Sequence, residues 1–242
     1  MGELSTSNEN KILCNDSNVK KFDYLIFMDS RGLTNIDNNY DNTMLMRIKT
    51  FFSKHDISYL ILSRPKNLTV FPTLFNFLKL NPDLNFRNLI TNLGFVDCTP
   101  KKQDNIDDII CQIKQFSSKK YHIKQHESYN LNDGSSEILK SIEYSIEYIQ
   151  EASKLLNNKF TKCYFLNTSI VSEDTKIERR RPKSFFSQLK ETNNLVNEFV
   201  KYNKEKNKLI DIKDINLTYD GVHYTNDGHQ KIFNKIVEDL DI

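Results

Sequence analysis

The sequence lacks any long apolar segment. No run among its 242 residues approaches the roughly 20 consecutive apolar residues that a membrane-spanning helix needs. Residues 1–21 are polar and contain no apolar core of the kind found in signal peptides. We therefore expect a cytoplasmic protein without a membrane span. Residues 1–21 are expected to form a disordered lead-in to a single domain, residues 22–242.

Paired cysteines, glycine-rich turns and an excess of one charge are also missing. None of the 4 cysteines lies in a Cys-x-x-Cys pair, which argues against a zinc site. There is no Gly-rich phosphate loop and no Gly-x-Ser-x-Gly elbow of the α/β-hydrolase fold. The formal net charge of +2 is too balanced to predict nucleic-acid binding. We expect no metal and no organic cofactor.

Five short apolar runs are present, and helical patterning follows each of them. The runs cover residues 24–28, 58–62, 88–93, 163–167 and 209–212. The predicted helices cover residues 43–55, 72–80, 105–116, 138–156, 185–203 and 227–240, and a polar stretch at 117–136 interrupts the alternation. Strands that alternate with helices pair in parallel. The sequence therefore predicts an α/β protein with three layers and a doubly wound, five-stranded parallel sheet.

Several chemically capable residues follow the predicted strands. Ser30 comes after the first strand, Gly94 and Asp97 after the third, and Asp220 and His223 after the fifth. In a parallel sheet, the binding crevice lies beyond the carboxyl ends of the strands. We therefore expect these residues to meet at one edge of the sheet, although they are far apart in the chain.

The residues at this edge suit nucleophilic catalysis. A serine hydroxyl such as that of Ser30 reacts only when a base removes its proton. His223 is the best candidate for that base, and Asp220 could accept a hydrogen bond from the other ring nitrogen and fix its tautomer. Gly221 lets the intervening turn adopt angles that a side chain would forbid. The pattern predicts a Ser-His-Asp site.

Three short motifs resemble those of the SGNH, or GDSL-type, hydrolase family. Met28-Asp29-Ser30 is similar to its first block, Gly94-Phe95-Val96-Asp97 to its Gly-x-Asn-Asp block, and Asp220-Gly221-Val222-His223 to its final Asp-x-x-His block. Their order and spacing span nearly the whole chain. The resemblance implies a flavodoxin-like three-layer fold. It also implies hydrolysis or transfer of acyl groups on small molecules, lipids or glycans.

The resemblance is incomplete at the oxyanion hole. The family uses the nucleophile's own amide, a Gly amide after the second strand and the Asn side chain of the third block. Here Val96 replaces that Asn, and residues 63–67 contain no Gly. The amides of Ser30 and Gly94, with help from Asn67 or Asn92, are expected to form the oxyanion site. Asp97 belongs to the same part of the predicted site, where a loop-capping carboxylate is its more ordinary role.

The leading interpretation is a serine esterase that removes an O-acyl group, such as acetyl, from a small molecule or glycan. An acyltransferase would use the same site, and a catalytically weak or inactive binding module is the alternative from another class. A phosphatase of the haloacid dehalogenase type is disfavoured, because Arg31 stands where its Asp-x-Asp motif needs the second acid after Asp29.

Two further groups of residues carry weaker predictions. A basic cluster at Arg179, Arg180 and Arg181 suggests a preference for anionic substrates, although a solvated loop is the usual explanation for such a run. His126 shows no partner pattern and is expected at the surface. His229, on the last helix, is expected to be solvated or half-buried.

Overall fold

The computed structural model describes residues 2–6, 10–14, 19–34, 36–37, 39–63, 68–117, 121–129, 136–173, 184–240 and 242. A sheet of seven strands forms its centre. Its strands are β1 (Gly2–Thr6), β2 (Asn10–Cys14), β3 (Lys21–Phe27), β4 (Tyr59–Ser63), β5 (Asn85–Thr91), β8 (Lys162–Leu166) and β9 (Asn207–Ile210). Two further strands, β6 (Tyr121–Tyr129) and β7 (Ser136–Tyr144), pair as a separate antiparallel hairpin.

The strand order in the main sheet is β1-β2-β4-β3-β5-β8-β9. The five strands from β4 to β9 in this order are parallel to one another, as the sequence predicts. Numbered along the chain, these five have the order 2-1-3-4-5, which is the flavodoxin-like order. The chain runs from β3 to β4 on one side of β3 and then crosses back to β5 on its other side. The sheet therefore has its topological switch point at the end of β3.

Eight α-helices and one short 3₁₀ turn (Tyr40–Asn42) connect the described strands. The helices are α1 (Ser30–Leu33), α2 (Met44–Lys54), α3 (Phe71–Leu80), α4 (Phe95–Cys98), α5 (Gln103–Phe116), α6 (Ile146–Lys159), α7 (Phe185–Tyr202) and α8 (Asn226–Asp239). Within the described ranges, no helix combines the length and apolar character that crossing a bilayer requires.

Both faces of the sheet are buried. Leu25 and Phe27 of β3 pack on one side with residues of α3, α5, α6 and α7. Tyr24 and Ile26 of the same strand pack on the other side with residues of α2 and α8. Strands covered on both faces read as continuous apolar runs, which is why the runs in the sequence mark their positions. The result is the expected three-layer α/β/α arrangement.

The structure differs from the sequence prediction after α5. The predicted helix at 138–156 is wrong in its first part, where the chain forms strand β7 before α6 begins. Ser145 starts α6, since its side chain accepts a hydrogen bond from the Tyr148 amide. Ile142 and Tyr144 are buried while Glu143 between them is exposed, the alternation of a strand. The polar stretch before it contains β6, which pairs with β7 over its whole length.

The N-terminal residues also differ from the expectation. Residues 1–21 were expected to be disordered, yet strands β1 and β2 lie within them. Strand β2 pairs antiparallel with β4, and β1 pairs antiparallel with β2. The physical reason is that β4 would otherwise present an unpaired edge of N–H and C=O groups. The assignment of residues 22–242 to a single domain stays a prediction.

Candidate active site

Ser30 lies where β3 ends and α1 begins. Asp29 caps this short helix, and its Oδ1 accepts a hydrogen bond from the Arg31 amide at 2.9 Å. The Gly32 amide donates to the Asp29 carbonyl oxygen at 3.0 Å. Ser30 itself is only half-buried. The serine hydroxyl therefore lies at the carboxyl edge of a central strand. Hydrogen bonds from the Arg31 and Gly32 amides to Asp29 stabilise the turn that carries it.

Asp220 and His223 lie on the loop between β9 and α8. Asp220 Oδ1 accepts hydrogen bonds from the amides of Val222 at 3.0 Å and His223 at 2.8 Å. Gly221 has a φ of 78°, a backbone region that favours glycine. Thr225 then caps α8 by accepting a hydrogen bond from the Gly228 amide at 3.2 Å. The loop is therefore ordered by its own side chains.

The structure brings Ser30, His223 and Asp220 together. Ser30 Oγ lies 3.0 Å from His223 Nε2, across 193 residues of sequence. His223 Nδ1 lies 2.8 Å from Asp220 Oδ2, and both side chains are almost fully buried. An ionised carboxylate only accepts hydrogen bonds, so in the neutral ring Nδ1 carries the proton. The Nε2 lone pair then faces the Ser30 hydroxyl, which is the geometry that proton abstraction requires.

A buried ion pair flanks Ser30. Arg31 and Asp29 are each 1% exposed, and Arg31 Nη2 lies 2.8 Å from Asp29 Oδ2. The sequence prediction treats Arg31 only as a residue that spoils a phosphatase motif. The sequence pattern that could have indicated this ion pair is an arginine two positions after an aspartate, at the end of a buried strand. Because the Asp29 carboxylate is bound by Arg31, it is poorly placed to act as a phosphatase nucleophile.

Two of the predicted oxyanion donors, Gly94 and Asn92, have other partners. The Gly94 amide donates to Asp97 Oδ2 at 3.0 Å, so the structure does not support it as an oxyanion donor. Asn92 is buried, and its Nδ2 donates to Asp29 Oδ1 at 3.1 Å. Asn67 lies outside the described residues. The Ser30 amide opens α1, where helix N–H groups have no intrahelical acceptor.

Asp97 has the loop-capping role rather than a place at the reacting atoms. Its carboxylate accepts hydrogen bonds from the Phe71 amide at 3.0 Å and the Tyr144 hydroxyl at 2.6 Å, in addition to the Gly94 amide. Burial raises the pKa of Asp97, and these hydrogen bonds oppose that rise. Burial also lowers the pKa of nearby Lys101 to about 8. Asp97 therefore joins α3, α4 and the hairpin.

His229 is fully buried, so the expectation of a solvated or half-buried residue is wrong. Its Nδ1 accepts a hydrogen bond from the Met44 amide at 3.1 Å, and its Nε2 donates to the Thr34 carbonyl oxygen at 3.0 Å. Burial lowers its pKa. The residue lies on the face of α8 that packs against α2. It connects the helix after His223 to the segment after Ser30.

An aromatic ring packs beside His223, and a small apolar cluster lies near the site. The Tyr219 ring stacks beside His223 with centroids 5.9 Å apart. A small apolar cluster includes Val222, next to His223 in the chain, and Phe95, whose ring lies beneath the Arg31 guanidinium at 5.1 Å. The basic cluster at Arg179, Arg180 and Arg181 lies outside the described residues.

A second serine–histidine contact lies in the hairpin. His126 Nε2 is 2.7 Å from Ser141 Oγ, so His126 has a partner that the sequence prediction missed. Ser141 lines a cavity of about 260 Å³ between the hairpin, α6 and α7. Ser30 and His223 do not line this cavity. The two serine–histidine pairs can therefore be tested separately.

Solved structures share this architecture. An acetyl xylan esterase matches with a TM-score of 0.50 at 13% identity, over 90% of this chain and 98% of its own. A lipase/acylhydrolase from Enterococcus faecalis has a TM-score of 0.49 at 12% identity, over 91% of this chain and 94% of its own. An α/β hydrolase enzyme from the metagenome of Lake Arreo, Spain, has a TM-score of 0.49 at 12% identity, over 90% of this chain and 93% of its own.

The expected resemblance to ester hydrolases is confirmed at the level of the fold, through the esterase that matches over nearly the whole of both chains. No protein-family model matches the sequence, and no curated protein matches it either. The class defined by these observations is a three-layer α/β protein whose fold is similar to that of an acetyl xylan esterase.

Proposed function

We propose that this protein is a serine esterase that hydrolyses O-acyl esters with Ser30 as nucleophile, His223 as general base and Asp220 as the carboxylate that orients it. The observation that carries the proposal is the 3.0 Å contact between Ser30 Oγ and His223 Nε2. The 2.8 Å contact from His223 Nδ1 to Asp220 supports it, because it leaves Nε2 free to accept a proton.

The proposed reaction has two halves. Ser30 Oγ attacks the acyl carbonyl carbon while His223 Nε2 takes the hydroxyl proton. The tetrahedral intermediate collapses, the C–O bond to the alcohol breaks, and His223 returns the proton to the leaving oxygen. Water then attacks the acyl-enzyme with His223 again as base. The products are the free alcohol, the carboxylic acid and regenerated Ser30.

The proposed substrates are small-molecule, lipid or carbohydrate esters, with a short acyl group such as acetyl as the first to test. The similar fold of an acetyl xylan esterase makes an acetylated sugar a sensible starting point. An acyltransferase would form the same acyl-enzyme and pass the acyl group to a second alcohol. Release of acetate with water as the acceptor distinguishes the hydrolase.

The direct test is covalent labelling with a fluorophosphonate probe, followed by peptide mapping. We expect the label on Ser30, its loss in Ser30→Ala and a large decrease in His223→Ala. Ser141→Ala is the matched control, because Ser141 also contacts a histidine and should leave the labelling unchanged. Label that maps to Ser141, or that persists in Ser30→Ala, contradicts the assignment.

A binding module without catalytic activity is the second candidate. The Gly94 amide is bound to Asp97, and Val96 has no side-chain donor, so two expected oxyanion contacts are missing. Loss of one oxyanion donor typically costs about 2.7–4 kcal/mol of transition-state stabilisation. Absence of labelling and of acetate release in the folded wild-type protein would favour this candidate.

A further inference from the structure

The Asp29–Arg31 ion pair is bound to the neighbouring strand as well as to the nucleophile turn. Arg31 Nε donates to both Asp29 carboxylate oxygens at 3.0 Å, and Arg31 Nη2 donates to the Asn92 carbonyl oxygen. Asn92 Oδ1 accepts a hydrogen bond from the Asp29 amide at 2.8 Å. We call Asp29, Arg31 and Asn92 the nucleophile clamp. It joins the residues on either side of Ser30 to the end of β5.

Stability alone is a weak explanation for this clamp. Removing two charges from water is costly, and a buried ion pair is often no more stabilising than apolar side chains of similar size. Arg31 also lies over the Phe95 ring, so its guanidinium is enclosed on several sides. What charged hydrogen bonds supply better than apolar packing is a defined direction. Here they define the geometry of the turn that carries Ser30.

The direction of the Ser30 amide is critical in this site. In the first turn of α1, the amides of Arg31 and Gly32 are bound by Asp29. The Gly94 amide is bound by Asp97, and the Asn92 side-chain amide is bound by Asp29. Of the two backbone amides predicted as oxyanion donors, the Ser30 amide is the one that these contacts leave available. Its orientation follows from the position of the Asp29–Ser30 peptide.

We propose that Arg31 is a positioning residue that acts through Asp29 and Asn92 to hold the Ser30 amide toward the developing oxyanion. The inference rests on the proposed esterase function. It assigns a catalytic consequence to an arginine that is itself too buried to touch a substrate. Loss of the clamp should therefore slow the chemical step rather than weaken substrate binding.

The test compares Arg31→Lys, Arg31→Met and the double variant Asp29→Asn/Arg31→Met with the wild type. The double variant avoids an unpaired buried carboxylate, and Asn still serves as a helix N-cap. With p-nitrophenyl acetate as substrate, we expect kcat to fall about 10- to 100-fold in the double variant while KM stays within about 2-fold. The pH midpoint of kcat/KM should not move, because His223 and Asp220 are untouched. Arg31→Lys should recover part of kcat.

Two controls separate the possible outcomes. Arg47→Met removes a partly buried arginine of α2 that bonds Gln230 and the Asn42 carbonyl oxygen, and should leave kcat unchanged. Hydrogen exchange at the Ser30 amide should be faster in the double variant than in wild type, a readout independent of activity. If the folded double variant keeps the wild-type kcat and the wild-type exchange rate at the Ser30 amide, the positioning role of Arg31 is wrong. The proposed esterase function is then unaffected. A folded wild type that neither labels nor hydrolyses overturns the proposed function, and the catalytic role of Arg31 with it.

Discussion

At the scale of single residues, Asp220 has two separable tasks. Its Oδ1 accepts two loop amides, and its Oδ2 faces the imidazole at 2.8 Å. The first task orders the loop, and the second selects the histidine tautomer. An asparagine can keep the first task with its carbonyl oxygen while its NH₂ group reverses the second. This substitution therefore isolates the electrostatic part of the site.

We predict that Asp220→Asn lowers kcat by on the order of 10³- to 10⁴-fold with little loss of stability. The new NH₂ group would face Nδ1 as a donor, so the ring proton would move to Nε2, where it blocks proton abstraction from Ser30. Ester hydrolysis and thermal unfolding, measured on the same samples, check this. Asp214→Asn, an exposed aspartate of the same loop, is the control. Activity near that of wild type would exclude Asp220 as the orienting carboxylate.

His229 predicts a pH dependence of stability. Burial lowers its pKa in the folded protein, so below pH about 6.5 the unfolded chain binds a proton that the folded protein resists. Stability from this residue is present above that pH and is lost as the pH falls toward the folded pKa. We expect the free energy of unfolding to decline by up to about 1.4 kcal/mol per pH unit more in wild type than in His229→Gln. Urea unfolding between pH 5 and pH 7.5 measures the difference.

Exposed His122 supplies the control for this experiment. His122→Gln should keep the wild-type change of unfolding free energy with pH, because the imidazole that it removes is exposed rather than buried. Parallel slopes for wild type and His229→Gln would show that His229 does not resist protonation in the folded state.

At the scale of elements, a buried hydroxyl is one of the contacts that anchor the β6–β7 hairpin. Tyr144 donates to Asp97 at 2.6 Å, which connects β7 to the turn after β5. We predict that Tyr144→Phe destabilises the protein by about 1–3 kcal/mol, because a buried carboxylate loses a donor. Denaturant unfolding measures this change. Tyr121→Phe on β6, a half-buried tyrosine, should change stability much less, and equal effects would contradict the anchoring role.

The elements also show how far sequence reasoning extends. The five parallel strands are readable because each is a continuous apolar run buried on both faces. The hairpin could not be predicted in this way. Ile138, Ile142 and Ile149 have the spacing of one helical face, although the chain changes from strand to helix at Ser145. The strand before Ser145 depends on the pairing of β7 with β6, which is visible only in three dimensions.

The candidate site also contains both residues that the sequence predicts and residues that it does not. Ser30, Asp220 and His223 were predictable because each follows a strand whose carboxyl end faces the same edge. The clamp was not predictable, because the contact of Arg31 with Asn92 depends on how β3 and β5 lie side by side. The Gly94 amide has a different hydrogen-bond partner from the predicted one, for a local reason. Its acceptor, Asp97, lies only three residues further along the chain.

At the scale of the whole molecule, the strand order determines where the site lies. Strand β3 is placed between β4 and β5, so Ser30 sits at the centre of the sheet edge rather than at its margin. The turn after β5 is its neighbour on one side. The two N-terminal strands extend the sheet beyond β4, on the opposite side from β9. They therefore lie away from the strand that leads to His223.

The separation of Ser30 and His223 by 193 residues has a consequence during translation. A ribosome-bound intermediate that has emerged as far as Ile210 contains the nucleophile and every strand of the main sheet, yet it has no general base. We expect this intermediate not to hydrolyse esters until the loop that carries His223 emerges and α8 docks. Docking of that loop and of α8 thus completes the site proposed around Ser30.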